Sequence, residues 1–188
     1  MTMTSEPAPW RRVKWTRAGQ LAGLAMVGDT LDGLHEVPPP VAFAALRREN
    51  AEAAVHFMAQ CLPRFEAMQW LHGALTRSPT QSPACAEIRS GIAGWLADPS
   101  DKRRRLVFDH AQTIAFDVPE GAAGLALFLS GGSLTPPELE QGVPPATGAF
   151  GQAVGATILL AGLARGPEVF ADEVDVLLGI GVAIAEAE

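Results

Sequence analysis

The sequence predicts an all-α fold, a single array of about seven helices around a glycine-rich central one. Three observations predict it. Alanine is abundant and β-branched residues are sparse, a composition that favours helix over strand. The apolar residues recur with a period near 3.6. Proline or glycine stands at nearly every boundary between these periodic runs.

The chain of 188 residues is 48% hydrophobic. That is enough to bury one sizeable core and too short for two comfortable ones. Residues 1–15 read as an N-terminal arm and residues 16–188 as one helical domain. A formal charge of −7 and only 6% aromatic residues argue against nucleic acid as a partner. The two cysteines, Cys61 and Cys85, sit in apolar helical contexts and read as buried thiols of a reducing, cytoplasmic protein. With His35, His56, His72 and His110 they form no metal-ligand spacing, so neither metal nor cofactor is expected.

The arm, MTMTSEPAPWRRVKW, places Trp10 and Trp15 among Arg11, Arg12 and Lys14. It can dock on an acidic partner, or its tryptophans can fold back on the domain. Its twin arginine precedes only a weak apolar run, cut by Asp29, which does not read as an export signal. A short helix is expected over Arg17–Val27, and Pro38–Pro40 form a stiff lead into the next.

Residues 41–62 read as one helix, with Phe43, Leu46, Asn50, Ala54, Phe57, Met58 and Cys61 on one face. Pro63 opens a helix striped by Ala67, Met68, Leu71, Ala74 and Leu75. After a polar loop, Cys85, Ile88, Ile92, Trp95 and Leu96 repeat the pattern. The next helix is expected to start with Asp98 as N-cap and Pro99 at its first position. Leu106, Val107, His110 and Ala111 fall on its buried face, and Lys102–Arg105 make a basic run. That run is either solvated surface or a patch for an acidic partner, carried by Arg103, Arg104 and Arg105.

The segment FLSGGSLTPPELEQGVPPATGAF, 128–150, holds four glycines and four prolines and reads as a connector. Gly131 and Gly132 follow a helix, where glycine ends it, rather than preceding one, where it would cradle phosphate. Thr135-Pro136-Pro137-Glu138 has the form of a capping box that starts a one- or two-turn helix, and Pro144-Pro145 open the next. Ser130, Gly131, Gly132 and Ser133 remain candidates for a surface that a partner reads. The uncharged segment 141–164 carries Gly151-x-x-x-Gly155. Its apolar part, Phe150–Ala164, covers about 22 Å, short of the ~30 Å a bilayer core needs, and reads as a buried helix. Its glycines make sense where another helix approaches closely, Gly155 above all. The closing helix directs Val169, Phe170, Val174, Leu177, Leu178 and Val182 inward.

LPRFEAMQW (62–70), ADPSDKRRR (97–105) and ALFLSGGSLTPPELEQGVPP (126–145) resemble, in this order, landmarks of an uncharacterised bacterial family of small helical proteins. Met68-Gln69 stand where that pattern has a second bulky aromatic. The resemblance implies an all-helical accessory or adaptor protein, in some members linked to type VI secretion gene neighbourhoods, and brings no catalytic residues.

The expected function is therefore a non-enzymatic, cytoplasmic protein-interaction module. The alternatives are a binder of a small apolar ligand between helices, and an enzyme using Cys61, His72 or His110. A polar-lined pocket would favour the alternatives, and an apolar patch rimmed by charge would favour the module.

Overall fold

A computed structural model describes residues 7–24, 27–136, 138–139 and 141–188, with Asp29 described by its backbone alone. Among these residues there are eight α-helices and no strand. They are α1 (Pro39–Glu49), α2 (Ala51–Cys61), α3 (Arg64–Arg77), α4 (Pro83–Ala97), α5 (Asp101–Ala111), α6 (Pro119–Leu129), α7 (Ala149–Leu163) and α8 (Phe170–Glu186). Short 3-10 turns occupy Ala18–Leu21, Gly28–Thr30 and Pro167–Val169.

The glycine-rich α7 is central, packing against α2, α3, α6 and α8. Its glycines are notches for specific side chains. A Cβ added at Gly155 would lie 2.6 Å from His56 Nδ1, and one at Gly151 would lie 2.4 Å from the Gln60 carboxamide. His56 and Gln60 are one turn apart on α2, as Gly155 and Gly151 are on α7, so the two helices mesh along this seam. The α3–α8 crossing uses the same device. Gly181 makes room for Trp70, whose indole N–H donates to the Leu177 carbonyl at 2.7 Å. One continuous core runs from Trp10 in the arm to Ala185 in α8.

Several local expectations change. Residues 41–62 are two helices, because Asn50 leaves the helical conformation and its side chain caps α2 by accepting from the Ala53 N–H at 3.0 Å. Over Arg17–Val27 the described residues make only a 3-10 turn, Ala18–Leu21, with Ala25 and Met26 outside the description. The N-cap of α5 is Ser100, which accepts from Arg103 N–H, while Asp98 ends α4. The described residues between Ser133 and Pro145 form turns and no helix, and Pro137 and Glu140 lie outside the description. Thr135 does not cap a helix there; its hydroxyl bonds Ser133 Oγ and the Gln141 carbonyl. α7 begins at Ala149 rather than at Pro144, after Gly148 turns the chain with φ +81°. On α5, Leu106 faces outward at 53% exposure and Arg104 lies inside at 3%. Val169 is likewise exposed beside α8.

Candidate functional site

The basic run of α5 and the connector after α6 form one structure. Arg104 donates to the Phe128 carbonyl, to Ser133 O at 3.0 Å and to Asp101 Oδ1 through Nε at 2.9 Å. Arg105 donates to Ser133 O at 2.8 Å, Thr135 O at 2.9 Å and Asp101 Oδ2 at 2.7 Å. Both guanidinium groups lie over the Phe128 ring, at 4.7 and 5.9 Å, and that ring stacks on Phe108 at 4.1 Å. The hydrogen bonds from Arg105 and Arg104 hold the Asp101 carboxyl below its usual range. Gly132, with φ +67°, lets the chain pass so close that a Cβ would lie 2.9 Å from both Arg104 Nη2 and Asp101 Oδ1. Ser133 Oγ then closes the loop, accepting from the N–H of Thr135 at 3.1 Å and of Val143 at 3.0 Å.

Four of the residues singled out in the sequence therefore meet here, Arg104, Arg105, Gly132 and Ser133, while Ser130 and Gly131 line a shallow hollow beside Arg104 and Gly131 faces the Arg64 guanidinium. Arg104 is not solvated surface. The ends of α6 and the connector present bare carbonyls, and its guanidinium satisfies them. Arg103 points away and pairs with Asp98 at 3.3 Å on the exposed side. Arg11 and Arg12 also have partners in the fold. Arg11 pairs with Glu188 at 2.5 Å and Arg12 with Glu66 at 3.8 Å, while the Arg12 N–H donates to Ala185 O at 3.0 Å. Trp10 is buried against Phe43, ring centroids 5.2 Å apart. The described part of the arm thus folds back on the body.

Two concavities flank this arm. The first is an apolar groove of about 510 Å³ between the arm, α1 and α8, floored by Trp10, Phe43, Ala44 and Val182, with Arg47, Arg48 and Glu186 at its rim. Arg47 is held by Asp175 at 2.6 Å, whereas Arg48 has no carboxylate partner among the described residues. The second is a cleft of about 600 Å³, with Lys14, Trp15, Gln60, Arg64, Thr147 and Phe150 in its wall. Lys14 and Arg64 are its only charged lining residues, and neither is paired with a carboxylate among the described residues. Gln60 donates to the Gly148 carbonyl at 3.0 Å and so fixes the start of α7 at the cleft's edge.

Sequence reasoning missed Arg64 and Gln60. Arg64 is the first residue of α3, where the helix dipole favours an acid over a cation. That misfit was a readable signal.

Cys61 lies at the cleft, but burial pushes its thiol well up and keeps it protonated. No hydrogen bond joins Cys61, His72 and His110, which sit on α2, α3 and α5. His72 is shifted down by burial and then by Arg89. His56, also shifted down by burial with Glu52 opposing, has an Nδ1 without a partner beneath Gly155. Two buried carboxylates hold other elements together. Glu120, at the start of α6, accepts from Arg89 at 2.7 Å, and Glu173 accepts from Arg77 at 2.8 and 3.2 Å. No described helix is long and apolar enough to cross a membrane.

The fold and these sites define an all-α array meshed around a notched central helix, with a guanidinium-locked connector beside it. Residues 32–185 match a family of unknown function, DUF6931, and the chain belongs to that family. No curated protein and no solved structure matches the chain.

Proposed function

We propose that the protein is a non-enzymatic interaction module, an accessory or adaptor protein of the cytoplasm. Its docking face is the groove between the arm, α1 and α8. The observation that carries this reading is the groove itself, an apolar trough at the surface whose rim holds a cation, Arg48, that no carboxylate pairs among the described residues. Its occupant is an amphipathic segment of a partner protein, with apolar side chains over Phe43 and Val182 and an acidic residue against Arg48. Arg11 and Arg12 serve by pinning the arm, whose Pro7 and Trp10 make one wall. The free, buried state of Cys61 and Cys85 accords with the cytoplasm.

Selection of peptides from a random displayed library against the purified protein tests this. The expected winners are amphipathic and acidic. Ala44→Arg, which fills the trough, should abolish their binding, and Arg48→Glu should weaken it about tenfold, with a salt dependence that disappears in the variant. Peptides that bind both variants as well as the parent chain would remove the groove from consideration.

A further inference from the structure

The cleft on the other side of the arm differs from the groove in kind. Its volume of about 600 Å³ is that of a small-molecule site. The chain as a whole carries −7, yet among the described residues no aspartate or glutamate lines this cleft and both of its charged residues are cations. Most arginines elsewhere in the fold are answered by carboxylates, Arg11, Arg12, Arg17, Arg47, Arg77, Arg89 and the α5 arginines among them, with Arg48 at the groove an exception. Lys14 and Arg64 have no carboxylate partner among the described residues. Arg64 further stands in the first turn of its own helix, where the dipole disfavours a cation.

The rest of the wall has the same polarity. Ala149 and Gln152 return their N–H groups to Ala146 and Gly148, which leaves the N–H groups of Phe150 and Gly151 without an acceptor among the described residues. Gln60, whose carboxamide fills the notch at Gly151 and bonds the Gly148 carbonyl, holds that first turn in place. The Thr147 hydroxyl adds a further donor at the cleft, and Trp15, with Lys14 Nζ 5.0 Å from its ring centroid, supplies a flat apolar wall.

We propose that this cleft is a binding site for a small organic oxyanion, a phosphate- or carboxylate-bearing molecule with a flat apolar body. Lys14 and Arg64 hold the anionic head, Arg64 through its forked guanidinium, and the body rests between Trp15 and Phe150. Cys61 takes no chemical part, because its thiol stays protonated. The cleft and the groove are separate, so this site stands or falls independently of the docking face.

Titration of the full chain with phenyl phosphate, benzoate and the neutral analogue benzyl alcohol tests the proposal, followed by tryptophan fluorescence and by the amide resonances of Gly148 and Gly151. Saturable binding of at least one anion is expected, tightest at low salt, and the better binder identifies the head group. Lys14→Met and Arg64→Met should each weaken it about tenfold, and the double variant should abolish it. Both side chains are exposed, so the variants should stay folded, and Arg64→Met should unfold at the same temperature or a higher one. Three results would each overturn the site: no saturable binding of either anion, binding of benzyl alcohol as tight as that of the anions, or undiminished anion binding in the double variant.

Discussion

The arginines of α5 and the cations of the cleft are opposite solutions to the placement of positive charge. Arg104 and Arg105 stand in the densest basic run of the sequence, and the fold uses them internally, against Asp101 and the carbonyls of Phe128, Ser133 and Thr135. Lys14 and Arg64 are fifty residues apart in sequence, and the fold brings them to one cleft without a carboxylate partner among the described residues. Clustering along the chain therefore does not measure availability to a partner. What decides it is which bare acceptors the fold sets beside each cation.

The largest expected effect breaks the α5 side of this contrast. Arg104→Met removes the donor to the buried Phe128 carbonyl and leaves Ser133 O with Arg105 alone. The cost should be about 3 kcal/mol or more. A denaturant titration reads it directly, and the amide protons of Thr135 and Val143 should exchange faster as the connector loosens. A midpoint unchanged from the parent chain would mean that Arg104 is as dispensable as a surface arginine.

Next comes the seam beside the cleft. Gly155→Leu drives a side chain into the His56 ring, where even a Cβ would stand 2.6 Å from Nδ1. Overpacking should cost on the order of 1–3 kcal/mol. Gly151→Ala should cost less, because the Gln60 carboxamide can swing aside, but it loses the bond to Gly148 that fixes the start of α7. Thermal unfolding of both variants should rank them in that order. The reverse order would mean that the cleft edge is the more rigid part.

How much of this could be read from the sequence follows from the same contrast. The helices and the central place of α7 were legible, because apolar period and glycine spacing encode side-chain burial directly. The Gly155 contact was legible for the same reason. The single helix over 41–62 failed because Asn50 fits the period of the buried face while its side chain prefers a backbone N–H, and period alone cannot see a cap. The buried face of α5 was misread because hydrophobicity put Leu106 inside and Arg104 outside. The need was for a donor, set by carbonyls some 24 residues further along the chain. The cleft was illegible for a related reason, since Lys14, Gln60, Arg64 and Phe150 meet only in three dimensions.

Acidification separates the buried histidines from the arginine-held carboxylates by pH. Burial lowers His56 and His72 below the ordinary histidine value in the folded chain. The unfolded chain then binds protons first as pH falls below about 6.5, so stability declines from there until the folded groups also titrate. Glu52 opposes part of this at His56. Asp101, Glu173 and Asp175 are shifted down by their arginines, so their contribution is present above the ordinary carboxylate range and is lost only below about pH 4. Unfolding free energies measured between about pH 7.5 and 5.5 should fall for the parent chain and fall less for His56→Gln. Equal slopes would mean that the His56 ring does not feel its burial.

The smallest effect sharpens the contrast most. Arg103 is one residue from Arg104, carries the same charge and sits in the same run. It pairs only with Asp98 at 3.3 Å, and the side chains are 48% and 72% exposed. Solvent screens such a pair, and surface substitutions of this kind usually stay within about 0.5 kcal/mol. Arg103→Glu should therefore leave the unfolding midpoint nearly unchanged, even though it reverses a charge near the start of α5. It should also leave peptide binding in the groove and anion binding in the cleft unchanged, since Arg103 lines neither. If Arg103→Glu destabilised the chain as much as Arg104→Met, the run would act through its summed charge on the helix. If it altered neither stability nor binding, the division between a structural and a solvated arginine would be drawn between two adjacent residues, by the carbonyls that one of them reaches.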